Sequence, residues 1–280
     1  MGYRLRVMTA ADIPAGMRLK EIAGWNQTQG DWERFLRASP EGCFVAEVEG
    51  RVLGTAATIV YESRFAWIGM VLVDPVTRGQ GIGTELLRET IGYLDACRIP
   101  CMKLDATPQG KPIYEKLGFV SEYEVERWVL RRSPLSGAVA EPGPGELEEV
   151  FALDREIFGA DRSDLLRSVA LEAPAFAMQE RSQGRLSGYA FGRQGSRADH
   201  LGPWVTLDEA SARSLLGEFL RRSRQQMVFV DGMKPSPWAI ELLGENGFAY
   251  ARPLTRMYRG RNDFPGRPEL QGAILGPEFG

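Results

Sequence analysis

At 280 residues the chain exceeds the roughly 100–200 residues of one domain, so two domains are expected. A hydrophobic content of 44% and a charged content of 25% are those of an ordinary globular protein, and a net charge of −3 excludes the basic footprint of a nucleic-acid binder. No apolar run approaches the ~20 residues of a membrane span, and Met1–Val7 enters a strand-like alternation rather than a signal peptide, so a cytoplasmic protein is expected. Gly2 follows Met1, but Arg6 stands where myristoylation needs Ser or Thr. Cys43, Cys97 and Cys101 form an odd set beside a single histidine, which predicts idle thiols and no metal.

In chain order the first half reads as a strand near 3–9, helices over 11–38, a hairpin over 43–61 and a core strand near 65–74. The segment Arg78-Gly-Gln-Gly-Ile-Gly-Thr84 follows, then an amphipathic helix near 82–96. Strand, glycine loop and helix in succession place unobstructed N–H groups of Gly79, Gln80, Gly81, Ile82, Gly83 and Thr84 at the positive end of a helix dipole, a cradle for pyrophosphate. The loop lacks the Gly-Lys-Ser/Thr ending of a P-loop, and its glycines are too closely spaced for a dinucleotide fingerprint. A strand near 101–106, a helix near 110–117 and a strand near 120–131 complete the half.

The Pro- and Gly-rich stretch 133–145 reads as a junction, giving domains 1–132 and 133–280. The same order then recurs: a strand near 137–141, helices over 145–170, a hairpin over 175–193, and a core strand near 197–205. A helix near 208–224, a strand near 227–231, a helix near 237–246 and a strand near 249–259 follow. Leu86-Leu87 recurs as Leu215-Leu216 and Gly118-Phe119 as Gly247-Phe248, with one offset (247 − 118 = 129), the mark of a duplication. This predicts an α/β fold in which each half is a mixed central sheet with helices on both faces. A further strand at 269–275 has no counterpart in the first half and is expected to cross back and finish the first sheet.

Three motifs in order, Val73-Asp74-Pro75, Arg78-Gly-Gln-Gly-Ile-Gly83 and Tyr114-Glu-Lys-Leu-Gly-Phe119, make residues 3–131 resemble the GNAT N-acetyltransferases. The second half resembles a diverged copy, so the whole is similar to tandem-domain bacterial GNAT proteins. The resemblance implies acetyl-CoA as co-substrate, with the backbone of Val71, Leu72 and Val73 pairing with its pantetheine arm and Arg78 adding charge beside the pyrophosphate. It implies Tyr114 as the acid for the departing thiolate, and a strand amide for the oxyanion. It further implies acetyl transfer to a primary amine by direct attack in a ternary complex. The acceptor is expected at Trp25, Asn26 and Gln27, between the first helices; Thr28 to Asp31 read equally well as a plain helix cap. A small-molecule amine is the first expectation; a protein or peptide amine and an acetyl-CoA sensor without turnover are the alternatives. Glu21, Glu62 and Asp105 are base candidates beside water-mediated proton loss, while Met70 replaces a residue that is polar or acidic in many relatives.

At the offset of 129, Arg78 becomes Leu207, Gly81 becomes Ala210, Gly83 becomes Ala212 and Tyr114 becomes Leu243. Cradle and acid are both missing from the second copy, so one acetyl-CoA per chain is expected. A degenerate copy can still shape a substrate pocket or build a homodimer. His200 reads either as a structural residue or as a substrate-binding one.

Overall fold

The computed structural model describes residues 2–133 and 145–280. Most of the expected junction, and all of the strand expected at 137–141, lie outside the described residues. In chain order the elements are β1 (Arg4–Val7), α1 (Ile13–Ala23), α2 (Gln29–Ala38), β2 (Phe44–Val48), β3 (Arg51–Tyr61) and β4 (Phe65–Val73). Next come α3 (Ile82–Ala96), β5 (Cys101–Ala106), α4 (Lys111–Lys116) and β6 (Val120–Arg131). The second half has α5 (Glu148–Phe158), α6 (Ser163–Glu172), β7 (Met178–Ser182), β8 (Arg185–Gln194) and β9 (Asp199–Thr206). It closes with α7 (Glu209–Arg222), β10 (Met227–Met233), α8 (Pro237–Glu245), β11 (Ala249–Gly260) and β12 (Gln271–Ala273).

Two compact units emerge, and each includes a segment from the other half of the sequence. Unit 1 holds residues 1–121 together with 257–263 and Phe279; unit 2 holds 122–256, 264–278 and Gly280. In unit 2 the first copy's β6 runs antiparallel to β10, from Met227↔Arg131 to Met233↔Val125. In unit 1 the end of the second copy's β11 lies beside β5, where Arg261 N donates to Pro100 O (2.9 Å) and Met257 joins the buried core.

The local reasons for these elements are chemical. Thr28 and Asp31 form a capping box at the start of α2, with Thr28 N donating to Asp31 Oδ2 at 2.9 Å. Both hairpins turn through a left-handed pair, Glu49-Gly50 before β3 and Gln183-Gly184 before β8, which suits the twist of the flanking strands. Strand β3 is buried at eight consecutive positions and β9 along its whole length, the sign of a sheet covered on both faces. Helices α1 and α2 pack on β3 in unit 1, and α3 packs on β2, β3 and β4. The corresponding contacts of unit 2 are made by α5 and α6 on β8 and by α7 on β7, β8 and β9. The duplication shows in packing: a Cβ on Gly54 would stand 2.9 Å from Leu86, and one on Gly188 would stand 3.1 Å from Leu215.

The expectation that the last strand finishes the first sheet is overturned. Strand β12 stays in unit 2, pairing with β9 (Gln271↔Val205, Ala273↔Trp204) and with β10 (Gly232↔Ala273). The reason is that β9 and β10 diverge and leave a slot that this apolar segment fills, with Ala273, Ile274 and Leu275 all fully buried. From the C-terminal segment unit 1 receives Phe279, whose ring stacks on Phe35 (5.0 Å) and whose carbonyl accepts from the Tyr61 hydroxyl (2.8 Å).

Candidate active site

In unit 1, β4 carries a bulge where Met70 and Val71 together face Ala56 of β3, between the pairs Ala57↔Gly69 and Thr55↔Leu72. Met70 is left-handed at φ 53, a conformation costing an L-residue roughly 1–2 kcal/mol. Its carbonyl is held by the Thr55 hydroxyl at 2.7 Å. The parallel register of β4 with β5 covers Ala66↔Met102 and Trp67↔Lys103 and is not continued beyond them among the described residues. The two strands thus splay, leaving the edge of β4 at Val71, Leu72 and Val73 without a strand partner from β5. Leu72 is buried, while Val71 and Val73 are half-buried.

The glycine loop begins directly below that edge. Arg78 is exposed and its Nε donates to Val73 O at 3.3 Å. Gly79 (φ 79) and Gly81 (φ 84) take left-handed conformations, and a Cβ at either would meet open space. Gly81 is the N-cap of α3 and no side chain caps that helix, so its first-turn amides point outward. Gln80 is exposed, Gly83 and Thr84 are half-buried, and Ile82 is buried against Leu86 and Ala56.

Tyr114 sits on the short helix α4, its ring edge-on to Phe119 (6.0 Å). Val71 and Tyr114 both pack against the buried cluster that includes Ala66, Ile68, Leu104 and Ala106. Burial pushes its phenol up to about 12. Of the acceptor candidates, Trp25 is half-buried, whereas Asn26 (6% exposed) and Gln27 (8%) are buried. Among the base candidates Glu21 is exposed and paired with Lys20 (2.6 Å), Glu62 lies 3.5 Å from Arg64, and Asp105 is half-buried on β5.

His200 belongs to unit 2, where it is 1% exposed. Arg193 Nη2 lies 3.3 Å from its Nδ1, so Nδ1 accepts and the proton sits on Nε2, facing Asp231 Oδ2 at 3.2 Å. Asp231 in turn receives both Arg127 Nε (2.7 Å) and Nη2 (2.5 Å), and Arg193 pairs with Glu278 (2.7 Å). Burial lowers the imidazole pKa, and Nε2 lies near Asp231 Oδ2 without aligning for a hydrogen bond.

Three features escape sequence reading. The left-handed Met70 has no local signal, since methionine does not favour that region. Thr55 reads as an ordinary strand residue. Asp74, which caps the turn before the loop, carried a visible cue in the Asp-Pro pair. Among the described residues no group of three His, Cys, Asp or Glu is placed to hold a metal, and no helix is long and apolar enough to cross a membrane. Cys43 and Cys101 are buried, and burial pushes the Cys43 thiol up to about 11.

Comparison with known proteins gives these features a family. Residues 16–119 match the model of the acetyltransferase (GNAT) family, and residues 150–271 match that of an acetyltransferase (GNAT) domain. An uncharacterized N-acetyltransferase of Bacillus subtilis, YitH, is 26% identical over 68% of this chain and 68% of its own length. A mycothiol acetyltransferase of Thermomonospora curvata is 33% identical over 34% of this chain and 32% of its own. A putative acetyltransferase from Pyrococcus horikoshii shares the fold, with a TM-score of 0.83 at 22% identity over 100% of this chain and 96% of that one. With a GNAT match in each half and the splayed, glycine-looped sheet in the first, the chain belongs to the GNAT acetyltransferases, as an acyltransferase with two tandem GNAT domains.

Proposed function

We propose that unit 1 transfers an acetyl group from acetyl-CoA to a primary amine of a small molecule, the two substrates meeting in a ternary complex. The observation that carries this reading is the splay of β4 from β5 immediately above an uncapped helix N-terminus. The edge at Val71, Leu72 and Val73 suits the amides of a pantetheine arm, and the open cradle of Gly79–Thr84 with the Arg78 guanidinium suits a pyrophosphate. The match to a mycothiol acetyltransferase supports a small-molecule acceptor over a protein one.

Bound acetyl-CoA supplies the reactive thioester. A β4 amide at the bulge is assigned to donate to the carbonyl oxygen as negative charge develops there. The acceptor amine, with a pKa near 10, sheds a proton before its nitrogen attacks. A C–N bond forms and the C–S bond breaks; the proton shed before attack leaves to water, and the second, lost by nitrogen once it is bonded to carbon, ends on sulfur. With its phenol at about 12, Tyr114 stays protonated at any working pH. Full donation to a thiolate whose acid has a pKa near 8.5 is uphill for a phenol, so Tyr114 chiefly hydrogen-bonds the sulfur while the bond breaks. Trp25, Asn26 and Gln27 are assigned to the acceptor side, and His200 to the support of unit 2.

The test is thiol release from acetyl-CoA by the full chain across a panel of small amines, beside direct CoA binding. Release with at least one amine is expected. Binding without release on any amine or peptide would make the protein a sensor, and failure to bind CoA would remove the reading altogether.

A further inference from the structure

Asp74 is 5% exposed and lies between the end of β4 and the pyrophosphate loop. Its Oδ1 accepts from Val76 N at 3.2 Å, and its own carbonyl accepts from Thr77 Oγ1 (3.1 Å) and Thr77 N (3.0 Å). Thr77 O then accepts from Gln80 N, which hands the fixed geometry on to the loop. A buried carboxylate this close to an anion cradle presents a difficulty, because it opposes the negative ligand the cradle is built for. Arg18, projecting from α1, answers it: Nη1 meets Asp74 Oδ2 at 2.6 Å and Nη2 donates to Val52 O at 2.8 Å. That hydrogen bond holds the Asp74 carboxyl below the usual carboxylate range, and Arg51 adds a weaker positive field.

We propose that Arg18 and Asp74 are positioning residues for acetyl-CoA: Asp74 sets the loop that presents the amides, and Arg18 cancels the charge that Asp74 would otherwise set against the pyrophosphate. The proposal rests on the acetyl-CoA reading of unit 1. It makes an asymmetric prediction. Removing the cation alone leaves the buried carboxylate facing the ligand, whereas removing both charges relieves the repulsion at the cost of a looser loop.

The measurement is CoA affinity by calorimetry for the full chain, with KM for acetyl-CoA and kcat determined separately. Arg18→Gln is expected to weaken CoA about 10-fold at low salt, a penalty of ~1.4 kcal/mol, with kcat changed far less. The penalty should shrink at high ionic strength. The double variant Arg18→Gln/Asp74→Asn should recover to within about 3-fold of wild type and lose the salt dependence of the single variant, whereas a merely structural pair would couple in stability and leave the salt dependence of CoA binding unmoved. Arg18→Lys keeps the charge and should also stay within about 3-fold, which keeps the proposal testable if the glutamine variant does not fold. Wild-type affinity in Arg18→Gln at low salt, a double variant weaker than the single, or an Arg18→Lys variant weakened about 10-fold would overturn the proposal while leaving the cofactor reading intact. A wild-type chain that binds no CoA would overturn both.

Discussion

The opening between β4 and β5 and its counterpart between β9 and β10 begin from one design and reach opposite states. Both arise at a bulge: Met70-Val71 against Ala56 in unit 1, and Gly202-Pro203 against Phe191 in unit 2. The pairing of β4 with β5 ends at Trp67, just before the bulge, and the edge of β4 beyond it is left open. In unit 2, β9 and β10 pair over Val228↔Asp199 to Val230↔Leu201 and then part around β12, which adds itself as a strand. The chain's own residues take the place that the proposed function gives to a pantetheine arm in unit 1. Gly202 shows how closely they fit, since a Cβ there would stand 1.8 Å from Ile274 O. Pro203 stands where Val71 does and has no N–H to offer. The helix end differs in the same sense, because Asp208 caps α7 through Ser211 N (2.8 Å) while α3 carries no side-chain cap. Three separate losses, of edge, donor and anion cradle, follow from a few substitutions on a conserved scaffold geometry.

The largest effect should come from carrying one of these losses into unit 1. Gly81→Asp puts a carboxylate beside the first-turn amides of α3 on a backbone that is left-handed where that of Asp208 is extended, and should reduce CoA affinity at least ~100-fold by repelling the pyrophosphate and straining the loop. Calorimetry on the unaltered chain should find one CoA per chain; two sites of similar affinity would break the contrast between the clefts.

Gly202→Ala tests the filled slot. Its methyl group cannot coexist with Ile274 O, so the variant should lose about 3 kcal/mol in denaturant melts with the KM for acetyl-CoA unchanged. A variant of wild-type stability would mean that β12 is not tightly seated.

Tyr114→Phe should lower kcat about 10-fold or more with little change in KM. With the phenol held up to about 12 in the wild type, no ionisation of Tyr114 should appear below pH 10, and kcat/KM should rise with pH along the amine's own titration. Full activity in the phenylalanine variant at every pH would remove this residue from the chemistry.

The smallest effect concerns acid stability. The hydrogen bond from Arg6 holds Asp12 in unit 1 at about 2, against an ordinary value of 3.8. In unit 2 burial alone would raise Asp231, but Arg127 and His200 overcome it and hold the carboxyl lower still. Both folded values lie below the unfolded ones, so both contributions are complete above about pH 4 and fall as pH drops. The Asp12 contribution is gone once pH falls through about 2, whereas that of Asp231 continues to decline below it. Denaturant melts of Asp12→Asn and Asp231→Asn between pH 2 and 6 should show a flatter pH dependence than wild type for each.

Much of the fold was legible because it rests on local chemistry. Period-2 and period-3.6 patterns located the strands and helices, and the Gly-Phe echoes exposed the duplication. The glycine loop was legible for the same reason: a cradle of consecutive amides is a property of consecutive residues. Tyr114 was found through its motif, yet the cluster that it and Val71 pack against is assembled from separate elements, β4 and β5 among them.

What tertiary structure alone decided was partnership. Residues 269–275 read as a strand, but strand propensity does not say which edge accepts it, and a slot in unit 2 took what sequence reading assigned to the first sheet. The placement of β6 in unit 2 and of the end of β11 in unit 1 was invisible for the same reason, since two related copies offer nearly equivalent edges to either strand. Beside the splay, Met70 is left-handed within a bulge and its carbonyl is held by the Thr55 hydroxyl, a pairing of two strands that local sequence does not announce. The sequence by itself determined the elements, the repeat and the family chemistry of the loop. Long-range pairing decided which cleft stays open, because that depends on edges and slots that exist only once the chain has folded.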